Sequence, residues 1–402
     1  MKSKNIFSNK FNFTDLGVGG LDDQIMTMFR TAFASRRLPT AILEQYDRSH
    51  VKGVLLYGPP GTGKTLIARQ MAKCLNAKKP IIVNGPEILS KYVGESEENV
   101  RKLFSEARKD QEEHGDESPL HVIIFDEFDA IAKPRGTGSD STGVASNVVN
   151  QLLSMIDGVD SLNNILLIGM TNRKDLIDPA ILRPGRFEVH IEISLPNEEG
   201  RYDIFMIHTK TMRSNNLLGQ DVDLKEIARL TKNYTGAEIE SVVKSANSFA
   251  LERKHNLLDF TKEINFTEMA TVDMQDFMNA LNEVKPSFGV DEDKIGQRLR
   301  GKFIDYGPRF RSLFENIQDA VKTFSHNNLG ISSLILYGEN GTGKTTLACQ
   351  IAKQSGIPYI KLLSSEDLVG KTDYGKVAHI SQTFLNAYRS PLSIIILDEL
   401  ER

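Results

Sequence analysis

Short runs of apolar residues alternate with longer helical patterns over the first two hundred positions of this 402-residue chain. The runs are rich in β-branched residues and are bounded by turn-forming residues, which is typical of strands covered on both faces. Five such runs occur: VLLYG from 54, PIIVNG from 80, HVIIFDE from 121, NILLIGMTN from 164 and HIEISL from 190. The pattern therefore predicts an α/β fold, a parallel sheet flanked by crossover helices.

The hydrophobic pattern changes at about residue 198, where strand-like runs stop and helical segments follow. One of these segments opens with Thr235 and Glu238, the spacing of a capping box. A polar stretch follows, and the apolar run SLILYG then restarts the strand pattern at 333. We predict four parts: an α/β subdomain over 1–198, a helical lid subdomain over 199–285, a linker over 286–305 and a second, partial α/β domain over 306–402.

Composition narrows the class of protein. The formal net charge is −4, with 40% hydrophobic and 25% charged residues, so no nucleic-acid partner is indicated. No apolar run reaches the roughly 18 residues of a membrane span, and the N-terminus lacks the apolar core of a signal peptide. These features predict a cytoplasmic protein. Cys74 and Cys349 each fall in an apolar helical stretch, which favours buried, reduced thiols.

The chain carries candidate phosphate-binding chemistry at GPPGTGKT, residues 58–65. The segment fits the pattern G-x-x-x-x-G-K-[ST], follows a strand and opens a helical pattern. In such a loop the backbone N–H groups and the helix N-terminus face the phosphates. Lys64 is expected to reach the β- and γ-phosphates, and the Thr65 hydroxyl to bind Mg²⁺. The alternative is a glycine-rich strand-to-helix turn without a ligand.

Acidic, amide and basic candidates follow along the chain. VIIFDE ends a strand with Asp126, a candidate metal ligand, and Glu127, a candidate acceptor of a proton from the attacking water. Asn172 closes the next buried run, where it either positions that water or forms a turn. Arg183 and Arg186 lie in ILRPGRFE, where they either bind surface carboxylates or stabilise charge on a transferring phosphoryl group.

The same architecture occurs twice. A second phosphate-loop motif, GENGTGKT, occupies 338–345, and IIILDE carries Asp398 and Glu399. Nucleotide binding there is chemically reasonable. Hydrolysis there is less expected, because no counterpart of Asn172, Arg183 or Arg186 follows in the sequence.

The motifs GPPGTGKT, KYVGESEENVRKLF, IIFDEFDAI, GMTNRKDLIDPAILRPGRFE and GAEIE, in this order, resemble the AAA+ ATPases of the AAA subgroup. The spellings VNGPEILSKYVGESE and VVNQLLSMIDGVDSLNNILLIGMTNR further resemble the N-ethylmaleimide-sensitive fusion ATPases. The likeness extends from about residue 12 to the end. Thr62 departs from the alkylation-sensitive members, which place a cysteine there.

The resemblance implies an ATP-hydrolysing homo-hexamer that pulls polypeptide through a pore. It assigns Glu127, Asn172, Arg183 and Arg186 to catalysis, with both arginines acting on a neighbouring subunit, and Tyr92 to a pore loop. The loop at 135–143 resembles a second pore loop. The resemblance also implies that the second phosphate-loop site is structural rather than catalytic, binding ATP and holding the hexamer together. Implied magnesium ligands are Thr65, Asp126, Thr345 and Asp398. Implied ATP-binding residues are Gly19, Gly20, Gly58, Pro59, Pro60, Gly61, Thr62, Gly63, Lys64, Thr65, Leu66, His208, Gly236, Ala237, Gly338, Gly341, Thr342, Gly343, Lys344 and Thr345.

Members of this family disassemble SNARE complexes for vesicle fusion and transport, using a SNAP adaptor and an N-terminal substrate-binding domain. That domain is expected to be missing here, since the first motif begins close to residue 1, and membrane association is expected only through partners. Two alternatives remain: an AAA unfoldase of other protein complexes, similar to the valosin-containing ATPase, and a non-catalytic nucleotide-binding fragment.

Overall fold

The computed structural model describes residues 17–33, 45, 50–75, 77–88, 95–134, 144–157, 162–255, 270–300, 304–326 and 330–400. The chain divides into two compact units. The first comprises Met1–Ala228 and Thr235–Ala280, and the second comprises Arg229–Tyr234 and Leu281–Arg402. Within the described parts, no helix is both long enough and apolar enough to cross a membrane.

A five-stranded sheet organises the first unit, and all of its pairings are parallel. Its order is β2-β3-β4-β1-β5, so the strand that leads into the phosphate loop lies next to the centre. The five predicted runs all form strands, and the predicted fold class is confirmed. The strands are β1 (Gly53–Tyr57), β2 (Ile81–Asn84), β3 (His121–Asp126), β4 (Ile165–Thr171) and β5 (Phe187–Glu192).

Eleven labelled α-helices accompany this sheet within the described residues, several of them only one turn long. They are α1 (Asp22–Met28), α2 (Lys64–Cys74), α3 (Gly85–Ile88), α4 (Glu95–His114), α5 (Phe128–Ile131), α6 (Val144–Asp157), α7 (Glu198–His208), α8 (Lys210–Ser214), α9 (Leu224–Leu230), α10 (Gly236–His255) and α11 (Met274–Glu283). The last two residues of α9 are counted with the second unit.

The core lies on both faces of the sheet because successive side chains of a strand point in opposite directions. On β1, Val54 and Leu56 join the cluster that contains α2, whereas Leu55 joins the cluster that contains α4 and α6. All seven residues of β4 are buried. This two-sided burial explains why the strands are continuous apolar runs rather than alternating ones.

Helix α10 begins with the predicted capping box. The Glu238 carboxylate accepts the Thr235 backbone N–H at 2.7 Å, and the Thr235 hydroxyl accepts the Glu238 N–H at 3.3 Å. The reciprocal bonds satisfy two backbone donors that the first turn of a helix leaves unpaired.

The second unit has a parallel sheet of two strands, β6 (Tyr359–Leu363) and β7 (Ser393–Leu397). Its helices are α12 (Glu292–Arg298), α13 (Pro308–His326), α14 (Lys344–Gln354) and α15 (Asp373–Tyr388). Helix α12 lies within the stretch predicted as a linker, and its Ile295 is buried with Cys349 and Ile360. This apolar contact makes part of that stretch an integral element of the second unit.

The run SLILYG is not a strand, which corrects the sequence prediction. Residues 331–339 have no regular secondary structure, and Ile335 and Tyr337 are exposed. Its counterpart β1 pairs with β4 on one side and β5 on the other. The sheet described in the second unit consists of β6 and β7 alone, so the apolar run lacks the neighbouring strands that would satisfy its backbone.

Candidate functional site

The phosphate-loop motif Gly58–Thr65 joins β1 to α2. A side chain at position 58 would place its Cβ 2.1 Å from the Ile193 carbonyl oxygen, so the loop passes where only glycine fits. Lys64 is buried, and its Nζ donates to the carbonyl oxygens of Gly58 at 3.0 Å and Pro59 at 2.6 Å. The Thr62 hydroxyl also donates to Pro59, at 2.9 Å. The loop therefore curls around an ammonium group at the N-terminus of a helix, an arrangement suited to phosphate oxygens.

The two predicted magnesium ligands of the first site meet. The Thr65 hydroxyl donates to Oδ2 of Asp126 at 3.1 Å, across 61 positions of sequence. A hydroxyl and a carboxylate are hard oxygen ligands, and Mg²⁺ in nucleotide sites takes one or two of them and completes its shell with phosphate oxygens and water. The described residues contain no group of three or more His, Cys, Asp or Glu side chains able to hold a metal alone. The pair therefore fits a magnesium ion that arrives with a nucleotide.

Glu127 sits immediately beyond β3 in a left-handed backbone conformation, with φ 48° and ψ 47°. The Glu127 N–H donates to Oδ1 of Asp126 at 3.0 Å, and Glu127 is exposed to solvent. A non-glycine residue costs free energy in this conformation and is found there mainly where function requires it. The conformation turns the chain sharply into α5 at the same edge of the sheet as the phosphate loop.

Asn172 lies on the turn that follows β4, at the same edge of the sheet, and is exposed. Sequence reasoning missed the two side chains that hold this turn. The buried Thr171 donates from its hydroxyl to Oδ1 of Asp129 at 2.7 Å and accepts the Arg173 N–H at 3.0 Å. One sequence signal was present, because Thr171 is a polar residue that ends an otherwise apolar strand.

Arg183 and Arg186 have different surroundings. Arg183 is exposed. Arg186 is held within its own chain, because its Nε and Nη2 contact Oδ2 of Asp157 at 2.7 and 2.5 Å, and its Nη1 donates to the Ala180 carbonyl. The predicted equivalence of the two arginines therefore does not extend to their local contacts.

The N-terminus of α10 covers the phosphate loop. The Ala237 N–H donates to the Gly61 carbonyl at 3.0 Å, and a Cβ on Gly61 would lie 3.0 Å from the Thr235 hydroxyl. Gly236 lies against the same carbonyl, since its own Cβ would be 3.4 Å from Gly61 O. The structure thus brings Gly236 and Ala237 to the phosphate loop; their implied place beside the base and ribose stays a prediction. Pro60 and Leu66 of the motif region are exposed.

Gly19 and Gly20 contact α7 rather than the phosphate loop. A Cβ on Gly19 would lie 2.9 Å from Cβ of Asp203, and one on Gly20 would lie 2.3 Å from Cα of Gly200. Burial raises the pKa of the Asp203 carboxyl, and Asp22 and Glu199 raise it further. His208 is the last residue of α7, and burial lowers its pKa. Gly19, Gly20, Asp203 and His208 therefore lie on helix α7 or against it.

Two predicted pore features fall outside the described residues. Tyr92 belongs to 89–94, and the predicted second pore loop occupies 135–143.

The second motif repeats the local geometry of the first. Nζ of Lys344 donates to the carbonyls of Gly338 at 2.8 Å and Glu339 at 2.7 Å, and the Thr345 hydroxyl donates to Asp398 at 2.8 Å. Glu399 has a positive φ of 56°, and the Ser365 hydroxyl donates to its carboxylate.

The surroundings of the second motif differ from those of the first. A Cβ on Gly341 would meet no described atom within 4 Å. A Cβ on Gly61, by contrast, would meet Thr235 and Ala237 at the start of α10. Thr342 is exposed, and its counterpart Thr62 is buried.

Comparison with known proteins agrees with this geometry. Residues 54–195 and 334–402 match the family described as "ATPase family associated with various cellular activities (AAA)", and 221–279 match the "AAA+ lid domain". The chain is similar to the vesicular-fusion protein SEC18 of Saccharomyces cerevisiae, with 52% identity over all of this chain and 53% of the relative. It is also similar to the vesicle-fusing ATPases of Arabidopsis thaliana (52% identity, all of this chain, 54% of the relative) and Dictyostelium discoideum (50%, 99% of this chain, 54% of the relative).

The chain thus spans about half the length of the curated relatives that it matches. The two family matches together cover the sheet, the phosphate loop, the acidic residues at the end of β3 and helix α10, whose N-terminus covers the loop. On these grounds the chain belongs to the AAA family of ATPases.

Proposed function

We propose that the first unit binds ATP with Mg²⁺ and hydrolyses it. The single observation that carries this proposal is the contact between the Thr65 hydroxyl and the Asp126 carboxylate beside Glu127. Thr65 and Asp126 hold the metal, and Lys64 with the loop N–H groups holds the phosphates. A magnesium ion held by these residues would supply positive charge against the charge that develops on the transferring phosphoryl group.

Glu127 accepts the proton of the water that attacks the γ-phosphorus, while the bond to the ADP oxygen breaks. Asn172 orients that water. Arg183, exposed on its turn, supplies positive charge to the site of a neighbouring copy, and this role makes a ring, a homo-hexamer, the catalytic assembly. Gly19, Gly20 and His208 border the base and ribose, and Gly236 and Ala237 connect the nucleotide to the lid.

The cellular role that fits best is disassembly of SNARE complexes through a SNAP adaptor, in vesicle-mediated transport in the cytoplasm. The support is the similarity to a vesicular-fusion protein and to vesicle-fusing ATPases, together with the sequence motifs. Tyr92 contacts the substrate polypeptide in the pore. A disassembly assay with purified SNARE complex and SNAP tests this role, and a chain that hydrolyses ATP without releasing SNAREs favours another protein complex as the substrate.

The catalytic proposal is tested with Glu127→Gln. The variant should bind a fluorescent ATP analogue as the parent does and should lose about 10²-fold in steady-state hydrolysis, because a positioned proton acceptor is removed. Glu112→Gln is the matched control, an exposed glutamate on α4 that should hydrolyse at the parental rate. Equal turnover in parent and Glu127→Gln contradicts the proposal.

The second unit is proposed to bind nucleotide through Lys344 and Thr345 without contributing to turnover. Its support is the repeated lysine and threonine contacts in a more exposed setting. Lys344→Ala should lower the number of bound nucleotides by one per chain and leave turnover at the first site in place. Loss of turnover comparable to that of Lys64→Ala, with hexamer formation intact by light scattering, would assign hydrolysis to the second site as well.

A further inference from the structure

The side-chain bond between Asp129 and Thr171 joins the two strand ends that carry the candidate catalytic groups. Asp129 lies on α5, two residues after Glu127, and Thr171 is the last residue of β4, one residue before Asn172. The Thr171 hydroxyl donates to Oδ1 of Asp129 at 2.7 Å, and Thr171 is only 2% exposed. Neither side chain belongs to the phosphate-loop, metal or arginine groups of the proposed site.

On the β4 side, the bond fixes the turn that carries Asn172. The Thr171 hydroxyl has one proton to donate, which goes to Asp129, and its oxygen accepts the Arg173 N–H at 3.0 Å. These two bonds hold the hydroxyl from both directions. The residues before and after Asn172 are thereby both held by the buried Thr171 hydroxyl.

On the β3 side, the bond fixes the turn that carries Glu127. Helix α5 has only four residues, and it begins directly after the left-handed Glu127. The Phe128 ring is buried, with its centroid 4.7 Å from that of Phe187, so the helix is anchored in the core. Asp129 then connects the helix to the end of β4 with a charge-assisted hydrogen bond, a stronger class than a neutral one.

Backbone pairing between β3 and β4 does not by itself fix the separation of the two turns. The ladder between β3 and β4 ends at the pair of Phe125 and Gly169, before either strand reaches its catalytic candidate. Beyond that pair, the Asp129–Thr171 bond supplies a side-chain connection between the two turns.

We propose that Asp129 is a positioning residue for hydrolysis: by accepting the Thr171 hydroxyl, it keeps Glu127 and Asn172 at a fixed separation. The inference rests on the proposed ATPase function. Both groups must address the same water, and misplacement of such a group by 1 Å costs as much as ~10²-fold in rate. The Thr171 side chain is buried and bonded to Asp129, and neither residue is among the proposed phosphate-binding or metal-binding residues, so affinity for nucleotide should not depend on the bond.

The test compares variants that break the bond with variants that keep it. Thr171→Val and Asp129→Ala remove one partner, and both should lower kcat by ~10²-fold while KM for ATP and the affinity for a fluorescent ATP analogue stay within about twofold. Thr171→Ser keeps the hydroxyl, and Asp129→Asn keeps an acceptor oxygen. Each should retain kcat within about threefold of its parent, because the positioning contact persists.

Two further measurements separate positioning from stability. The double variant Asp129→Ala/Thr171→Val should turn over no more slowly than the slower single variant, because both changes remove the same interaction. Asp110→Ala is the matched control, since it removes a carboxylate that accepts from His121 at the opposite end of β3. It should lower the thermal midpoint and leave kcat at the parental value.

Several results would overturn the inference. One is parental kcat in Asp129→Ala and Thr171→Val, even with lowered thermal midpoints, which would make the bond structural only. Another is loss of kcat in Thr171→Ser and Asp129→Asn equal to that in the bond-breaking variants. If Asp129→Ala fails to fold, the comparison of Thr171→Val with Thr171→Ser decides. Failure of the proposed function looks different, because the parent then hydrolyses no faster than Glu127→Gln.

Discussion

Replacement of Arg186 by alanine distinguishes the two arginines that the sequence presents as a pair. The Arg186 guanidinium makes two contacts to Asp157 and one to the Ala180 carbonyl within its own subunit. Its side chain is 19% exposed, and that of Asp157 is 41% exposed. Arg183 is exposed on the same turn. The two changes should therefore have different consequences for stability.

The magnitude follows from these contacts. A hydrogen bond to a charged group contributes about 1.5–3 kcal/mol when buried, and an exposed ion pair contributes about 1 kcal/mol or less. With the Asp157 contact discounted for solvent screening and the Ala180 contact counted near the low end, Arg186→Ala should cost about 2–3 kcal/mol. For a unit of this size the thermal midpoint falls by roughly 2–4 °C per kcal/mol, which gives about 5–10 °C. Arg183→Ala should stay within about 0.5 kcal/mol of the parent.

The assay combines thermal unfolding, followed by circular dichroism, with ATP turnover over a range of protein concentrations. Arg183→Ala should lose turnover with an unchanged midpoint, as expected for a residue that acts on another copy. Arg186→Ala should lose both. Arg186→Lys is the matched control, because it keeps the charge but not the forked geometry, and its midpoint should fall between those of parent and alanine variant. Equal midpoints for Arg183→Ala and Arg186→Ala would refute this reasoning.

Three further predictions concern the two cysteines, Gly20 and Asp110. Burial raises the pKa of Cys349 to about 11 and raises that of Cys74, so both thiols stay protonated near neutrality. Alkylation by N-ethylmaleimide, followed by mass spectrometry, should be slow in the folded protein and fast in urea, and rapid native labelling would contradict this. Gly20→Ala places a methyl 2.3 Å from Cα of Gly200 and should lower the thermal midpoint, whereas an unchanged midpoint would show that this approach is not tight. Hydrogen bonds from Lys78 and His121 lower the pKa of the Asp110 carboxyl from its usual value, so its contribution to stability is present above that usual value and is lost as the pH falls through the lowered pKa. Asp110→Asn should accordingly be less stable than the parent near pH 7 and should converge with it in acid unfolding curves.

The apolar runs predict all five strands of the first sheet. The signal is continuous at β1, β3 and β4, because these strands are buried on both faces, whereas β2 and β5, at the two edges of the sheet, are only partly buried. The motif Gly58–Thr65 and the acids Asp126 and Glu127 are also readable, since their spacing and residue types are dictated by phosphate and metal chemistry. The run SLILYG carries the same signal as β1 and forms no strand, because a strand depends on neighbours that periodicity does not report.

The side-chain contacts around the candidate site could not be predicted from the sequence. Asp129 and Thr171 are 42 positions apart, and Arg186 and Asp157 are 29 positions apart. Residue type alone gives no reason to pair them. Only the parallel crossover topology brings the ends of β3 and β4 to one edge and determines which carboxylate each donor meets. Helix α5, at four residues, is likewise too short to show a 3.6-residue period.

The close agreement between the two phosphate loops has a consequence for how such proteins diverge. The φ angles of Gly58 and Gly338 are 151° and 154°, and those of Glu127 and Glu399 are 48° and 56°, although one loop adjoins five strands and the other adjoins two. The shape of the loop is thus a property of its own short segment. Residues around one copy can therefore change, and change its task, while the anion-binding shape of its loop stays the same.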